Sequence, residues 1–446
     1  MTDGGDVHRA LAVALAAERL RIVATLIRTT GDWQLAEDAV ADAAERALQR
    51  WTDDGIPDRP AAWLTTAARR RAIDILRRRD NERSKLAELA MHDDPDDPPA
   101  DAPPGIGDDR LRLVFTCCHP ALSMEARVAL TLKVVSNLST AAIARVFLTS
   151  ENTMGQRLLR AKQKIANAGI PYRVPPPDAL PERLDSVLAV IYLVFTDGYG
   201  TANDDLAVEA IRLGRLLRDL MPNSDEAGGL LALMLLQQSR RSARVVDGEL
   251  VTLEDQDRSR WDTDAISEAL ALLGGAGPER GPYLIQAELA AVHASALDAE
   301  STDWLRIVAL YDELVTAHPS PVVALNRAIA VGMSDGPLAG LRAVDAITDD
   351  LPDFHLTFAA RGELLARAGR AAEAHIELSR AIELAPSEQE RRQLARRRDA
   401  LDEVGPRLLA DPHRPGQCCP DVPVSRRRSD DDPSRQPCPG ERHHER

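Results

Sequence analysis

Apolar residues recur at helical spacing along most of the chain, and the clearest case is the segment from Leu138 to Ile165. The pattern predicts a short helix at 141–146, a turn at 147–149 and a second helix at 151–164, which Ser150 can cap. The core-facing positions of the second helix are Met154, Leu158, Ala161 and Ile165. Two short helices joined by a three-residue turn are typical of a helix-turn-helix motif.

The opposite face of the second predicted helix is polar and basic. Its outward residues are Asn152, Thr153, Gln156, Arg157, Arg160, Lys162 and Lys164. Such side chains suit the phosphates and base edges of a DNA major groove. A solvated amphipathic helix carries the same pattern, so this face alone leaves both interpretations open. Gly155 inside the helix costs about 1 kcal/mol of helix stability.

A second basic helix lies earlier, at 62–79. Its candidate DNA-binding residues are Arg69, Arg70, Arg71, Asp74, Arg77 and Arg78. Together with the helix-turn-helix it gives the chain two separate DNA-facing surfaces, which indicates promoter recognition.

Composition favours an all-α protein of several domains. The chain has 446 residues, of which 44% are hydrophobic and only 3% aromatic. Few runs alternate with period two, so no sheet is predicted. The predicted segments are 8–91, a Pro/Asp linker at 92–107, a helix-turn-helix domain at 108–175, a helical domain at 176–300, repeats at 301–410, and a disordered tail at 411–446.

The net charge of −15 is unevenly distributed. Residues 8–91 carry 15 Lys/Arg against 13 Asp/Glu, and residues 108–175 carry 10 against 4. The linker contributes −5, and residues 176–446 carry 30 against 46. Only the DNA-facing part is basic, so the acidic remainder is suited to contacts with proteins or to masking the basic part.

The C-terminal third contains a repeat that fits the tetratricopeptide helix pair. One unit places small, large and Pro residues at Gly362, Leu365, Ala374, Leu378, Ala381 and Pro386. The unit 34 residues earlier has Ala328, Val331, Gly340, Val344, Ile347 and Pro352. Pro319 closes a more degenerate unit. Such pairs stack into a solenoid that can hold a regulatory protein or peptide, although an ordinary helical domain can show the same periodicity.

The cysteines and the N-terminus argue against other classes. The five cysteines stand as Cys117-Cys118, Cys418-Cys419 and Cys438, which favours buried thiols over a disulfide framework or a metal site. The N-terminus is polar, and the longest apolar runs are too short to span a bilayer, so a cytoplasmic protein without a membrane segment is expected.

Several strings resemble an extracytoplasmic-function sigma factor of RNA polymerase. Residues 36–40 (AEDAV), 60–64 (PAAWL), 68–69 and 72–78 resemble region 2, and residues 139–165 resemble region 4. The strings that resemble the subfamily with a tetratricopeptide-containing C-terminal extension are residues 115–122 (FTCCHPAL), 168–175 (AGIPYRVP) and 197–199 (DGY).

The resemblance implies a role for each segment. Asp38, Asp42 and Glu45 would dock on the clamp coiled coil of core RNA polymerase. The loop 52–59 would capture a flipped promoter base, and the helix 62–79 would hold the minus-ten element of promoter DNA. The second helix of the helix-turn-helix would lie in the minus-thirty-five major groove, and the acidic linker would follow the RNA exit path. Melting would draw on binding free energy, with no cofactor and no covalent chemistry.

The chain departs from the family pattern at one position and lacks one region. Arg70 stands where family members commonly have Asn, which exchanges a base-reading amide for a side chain that mostly finds phosphate. The linker is too short to form region 3, as is typical of this sigma class.

The extension is expected to regulate activity in cis, by masking the DNA-binding regions or by supporting polymerase engagement. Asp197, Gly198 and Tyr199 are either part of its contact with the sigma regions or a helix-ending turn.

Two other classes remain. A helix-turn-helix regulator or adaptor with a tetratricopeptide domain would not explain the acidic helix next to the Arg-rich one. An enzyme built on Cys117, Cys118, His119 or Asp197 lacks a nucleophile-base spacing, a phosphate loop or a metal quartet. The chain is therefore expected not to be an enzyme.

Overall fold

The computed structural model describes residues 4–79, 108–200, 204–246, 249–277 and 280–403. The predicted linker and C-terminal tail lie outside these residues. Nearly all of the described chain is helical, as predicted, apart from loops and a two-stranded ribbon.

The helices before the ribbon are α1 (Gly4–Thr30), α2 (Trp33–Asp54), α3 (Pro60–Arg79), α4 (Asp109–Cys117), α5 (Met124–Leu130), α6 (Thr140–Val146), α7 (Glu151–Asn167), α8 (Leu180–Gly200), α9 (Asp204–Leu220), α10 (Asp225–Ser239) and α11 (Arg241–Arg244). The ribbon is β1 (Val245–Val246) and β2 (Glu249–Leu250). The later helices are α12 (Thr263–Gly274), α13 (Pro282–Ser295), α14 (Trp304–Ala317), α15 (Pro321–Ser334), α16 (Pro337–Asp345), α17 (His355–Arg367), α18 (Ala371–Leu384) and α19 (Glu388–Glu403).

Helices α1 to α3 form an N-terminal bundle. Asp32 caps α2 by accepting a hydrogen bond from the Leu35 amide at 3.0 Å. Trp51 on α2 is fully buried, and its ring meets Trp63 of α3 edge to face with centroids 5.5 Å apart. Helix α2 continues to Asp54, so the first three residues of the predicted loop 52–59 are helical.

Helices α4 to α7 form the helix-turn-helix domain. Ser139 and Ser150 cap α6 and α7, with hydroxyl oxygens that accept from amides at 3.1 Å and 3.2 Å. The predicted core positions of α7 are all buried, as its apolar spacing required. Leu148 in the turn adopts the left-handed backbone region (φ 48°) and is 96% exposed. The serine caps and the apolar spacing of neighbouring residues therefore determine where the helices of this motif begin and which faces they bury.

The N-terminal bundle and the helix-turn-helix domain share one apolar core. Polar contacts lie along the same boundary. The Tyr172 hydroxyl donates to the Ala24 carbonyl at 2.9 Å and lies 3.4 Å from the Asp109 carbonyl. Arg28 pairs with Asp109 at 2.9 Å, and Arg19 donates to the Val134 carbonyl at 3.1 Å. The two units thus pack directly on each other.

The extension, α8 to α19, begins with a helix that runs through Gly200. The interpretation of Asp197, Gly198 and Tyr199 as a helix-ending turn is therefore wrong. A Cβ at Gly198 would lie 2.5 Å from the Ala207 amide nitrogen and 2.8 Å from the Leu206 Cβ. Glycine is present here because α8 and α9 approach closely.

Gly198→Ala is expected to lower the free energy of unfolding by about 1–3 kcal/mol, since backbone atoms of α9 must move to admit the methyl group. Urea denaturation followed by circular dichroism measures the change. The matched control is Gly155→Ala, where a Cβ meets nothing within 4 Å and helix propensity should add up to about 1 kcal/mol. Equal stabilities for the two variants would contradict the close approach.

Pairs of consecutive helices that pack on each other occupy the predicted repeat. Gly332 of α15 faces Gly340 of α16, where an added Cβ would lie 2.6 Å from the partner backbone. Gly362 of α17 lies against Leu378 of α18 in the next pair. The predicted boundary at residue 300 falls between α13 and α14, whose apolar residues share one cluster.

The segment after the ribbon contacts the helix pairs through a cluster of charged side chains. Glu254 lies 3.7 Å from Arg367 of α17, and Arg397 of α19 binds Glu363 of α17 at 2.6 Å and 2.8 Å. Burial raises the pKa of Glu254 to about 7, although Arg367 opposes the shift. The positive charge of Arg367 therefore does not offset the cost of burying the ionised Glu254 carboxylate.

Glu254 is expected to make folding pH-dependent. The unfolded chain loses this proton near 4.5 and the folded chain near 7, so this contribution to stability is present below pH 4.5 and is lost as pH rises through about 7. The melting temperature of Glu254→Gln, relative to that of the parent, should therefore be higher at about pH 8 than at about pH 5. Thermal melts at both pH values test this, with exposed Asp353→Asn as the control. A constant difference would contradict the prediction.

Candidate nucleic-acid interface

Helix α3 presents part of the predicted basic surface. Arg69, Arg70 and Arg77 are exposed. Arg71 instead turns toward α2 and pairs with Asp42, and Asp74 is half-buried. The side chain of Arg78 lies outside the described residues. The exposed arginines form a surface suited to phosphate.

Most of the predicted face of α7 is accessible. The exposed members are Asn152, Thr153, Gln156, Arg160 and Lys164. Arg157 is half-buried and lies 3.7 Å from Glu125 of α5. Ser150 caps α7 directly after the turn, and the exposed residues Asn152, Thr153 and Gln156 lie in the first turns of the helix. The N-terminal part of a recognition helix is the part that contacts base edges.

Lys162 departs from the outward position predicted for it. Its ammonium nitrogen lies 2.7 Å from Glu37 Oε2 on α2, and the two side chains are 16% and 14% exposed. The sequence pattern placed Lys162 on the polar face of α7 correctly, but that part of the face meets the N-terminal bundle. In this conformation Lys162 is not available to DNA.

The acidic residues predicted to bind polymerase lie along α2. Asp38 and Glu45 are exposed, and Asp38 accepts a hydrogen bond from Gln34 Nε2 at 2.8 Å. Asp42 is half-buried against Arg71, so one predicted polymerase contact and one predicted DNA contact bind each other. Two of the three carboxylates remain accessible to a basic partner.

A groove of about 560 Å³ separates α2 from the helix-turn-helix domain. Its walls carry both basic and acidic side chains next to apolar ones. The lining includes Leu15, Arg19, Asp38, Lys133 and Leu159. The predicted polymerase-binding face of α2 thus opens toward α7.

The extension contacts the helix-turn-helix domain through the first half of α8. Arg183 donates to the Phe115 carbonyl at 2.7 Å. Val187 and Ile191 line a small apolar cavity together with Val114 and Cys118. The extension is therefore packed on the core of the helix-turn-helix domain.

The predicted extension contact at 197–199 lies at the other end of α8. Asp197 is exposed, and partial burial of its carboxyl group raises its pKa. Gly198 packs against α9 within the extension. The side chain of Tyr199 lies outside the described residues.

Cys117 and Cys118 are fully buried thiols. Burial raises the pKa of both, that of Cys118 to about 11, and Cys118 lies 3.5 Å from the Thr131 hydroxyl. The thiolate form that attacks substrates or binds metal is therefore disfavoured. Within the described residues, no cluster of three His, Cys, Asp or Glu side chains could hold a metal, and no helix is long and apolar enough to cross a bilayer.

Several interface residues were missed from the sequence. Glu37, Arg19 and Arg183 are charged residues on amphipathic helices, and nothing in their spacing distinguishes them from solvated ones. Tyr172 offered a signal, because an aromatic residue is rare in this chain and it follows the helix-turn-helix in a Pro-rich segment. Its partners could not be derived from that signal.

Three family models match parts of the chain. Residues 15–82 match sigma-70 region 2, and residues 112–165 match sigma-70 region 4. Residues 183–277, in the first part of the extension, match a family of unknown function, DUF6596.

The chain is also similar to two kinds of relative. An uncharacterized protein of Rhizobium meliloti (strain 1021) is 44% identical over 403 residues, which cover 87% of this chain and 94% of that protein. A probable ECF RNA polymerase sigma factor, SigI, of Mycobacterium tuberculosis is 27% identical over 172 residues, which cover 38% of this chain and 59% of that protein. The first similarity includes the extension.

Proposed function

Because the chain belongs to the extracytoplasmic-function type of the sigma-70 family, with regions 2 and 4 followed by a helical extension, we propose that the extension regulates it in cis by holding the two regions together. The N-terminal bundle is region 2, and the helix-turn-helix domain is region 4. The partners of the whole chain as a sigma factor are core RNA polymerase and promoter DNA.

The shared core of the two regions carries the proposal. The minus-ten and minus-thirty-five elements lie about 25 base pairs apart, or roughly 85 Å along B-form DNA. Helices α3 and α7 would have to separate to reach both elements, whereas α1 and α4 pack on each other. The described arrangement therefore corresponds to a sigma factor that is not engaged with a promoter.

The extension contacts region 4, and we propose that this contact favours the closed arrangement. Helix α8 covers the region 4 core on the side that carries Phe115, and Arg183 bonds to it. We propose that loss of this contact lets region 4 leave region 2. The helix pairs of α15 to α18 would act as a tetratricopeptide-like platform for a protein that triggers this release.

The site residues follow from the same proposal. Asp38 and Glu45 would dock on polymerase, and Arg69, Arg70 and Arg77 would hold the minus-ten element. The exposed polar residues of α7 would read the minus-thirty-five element.

Run-off transcription with purified core polymerase tests the function. Arg183→Ala removes a charged hydrogen-bond donor from the Phe115 carbonyl, which typically costs about 1.5–3 kcal/mol. We expect output to rise about tenfold or more, in proportion to the open population. Arg212→Ala is the matched control, because Arg212 is exposed on α9 and binds only its neighbour Glu209 among the contacts described.

Three outcomes are informative. Unchanged output from Arg183→Ala would contradict masking by the extension. Reduced output, with the fold intact by circular dichroism, would mean that the extension supports engagement instead. If the full chain neither binds core polymerase nor starts transcripts, a helix-turn-helix regulator that does not contact polymerase becomes the better explanation.

A further inference from the structure

The contact between Lys162 and Glu37 joins two surfaces that the sigma function uses separately. Lys162 belongs to the recognition helix of region 4, and Glu37 belongs to the helix of region 2 that carries Asp38. Their oxygen-to-nitrogen distance is 2.7 Å, and both side chains are largely removed from solvent. An isolated surface pair contributes little, but a shielded one is less screened by salt.

Glu37 supplies the chemistry that a DNA phosphate would supply. A lysine ammonium is a compact charge that binds carboxylate or phosphate oxygens, and it binds phosphates without reading sequence. Among the residues that the structure describes, Glu37 Oε1 is buried without a hydrogen-bond partner, so the carboxylate binds Lys162 through its other oxygen. Arg19 lies within electrostatic range of the same carboxylate.

We propose that Glu37 is an internal competitor of the DNA backbone for Lys162, so that the closed arrangement and phosphate binding by the recognition helix exclude each other. The inference rests on the proposed function and names the contact through which region 2 restrains region 4. Opening would release one cation to DNA and expose one carboxylate on α2. When Lys162 leaves Glu37 and binds a DNA phosphate, α2, which carries the predicted polymerase-binding residues, would be released. Promoter binding and release of α2 would thus be coupled.

Binding of the full chain to a random-sequence duplex, measured by fluorescence anisotropy without polymerase, tests the proposal. The dependence on salt reports the number of phosphates contacted, with a slope near −0.9 per phosphate. Glu37→Gln should bind severalfold more tightly at low salt and should steepen the slope by about one. Lys162→Met should bind no more tightly than the parent.

The double variant and a charge control make the result specific. Glu37→Gln should have no effect on the slope in the Lys162→Met background, because the competing cation is gone. Asp6→Asn makes the same change in net charge at an exposed position of α1 and should leave the slope unchanged. Circular dichroism confirms that each variant is folded.

The outcomes separate this proposal from the function on which it rests. An unchanged slope in Glu37→Gln, or an equal change in the double variant, overturns the competition. Absence of DNA binding by every form also overturns it. The proposed function fails separately, if the chain does not direct transcription by core polymerase.

Discussion

Replacing both Arg69 and Arg70 with alanine is expected to lower promoter-directed transcription about a hundredfold, because two hydrogen bonds to charged phosphates, worth about 1.5–3 kcal/mol each, would be lost. Both side chains are exposed on α3, next to the buried Ala68 that anchors the helix in region 2. The fold should therefore tolerate the change. Run-off transcription and binding to core polymerase, measured on the same preparation, test the prediction.

The control variant loses the same number of positive charges, but from the extension. Arg212→Ala with Arg370→Ala removes two exposed arginines, each paired with a glutamate three residues away. This double control should leave polymerase binding and transcription near parental levels. A loss of polymerase binding in the Arg69/Arg70 variant would instead mean that α3 acts in docking.

Trp51→Ala is expected to destabilise region 2 by about 3–5 kcal/mol, since it deletes the largest fully buried side chain and its contact with Trp63. A loss of that size is comparable to the whole stability of many domains. Urea denaturation followed by far-UV circular dichroism should show an earlier transition, accompanied by loss of transcription.

Trp51→Phe provides the matched comparison. The smaller ring keeps an aromatic group against Trp63 and leaves a smaller cavity, so its cost should be less than half that of alanine. Similar losses for both substitutions would show that the indole itself, rather than the filled volume, is required.

The helix-turn-helix was predictable because its determinants are local. Ser150 accepts the amide of Thr153, and Met154 and Leu158 recur at the helical period, so a few neighbouring residues specify the element. The basic surface of α3 was visible for the same reason. The end of α8 was predicted wrongly, because Gly198 looks like a turn signal in isolation and is required by packing against Leu206 and Ala207.

Pairs of charged side chains between distant helices could not be predicted from the sequence. Arg71 and Asp42 were assigned to two different partners and bind each other. Lys162 was placed on the correct face of α7, but spacing along one helix carries no information about a helix 125 residues away. Charged residues on amphipathic helices look alike until the neighbouring surface is known.

The sequence by itself determined the helical class, the caps and core positions of the helix-turn-helix, the basic surfaces and the resemblance to a sigma factor. These features depend on periodicity and on short-range hydrogen bonds. Only the tertiary structure decided that regions 2 and 4 share a core, that α8 covers region 4, and that Glu37 holds Lys162. Contacts of this kind form between surfaces distant in the chain, where apolar burial and charge pairing depend on which faces meet.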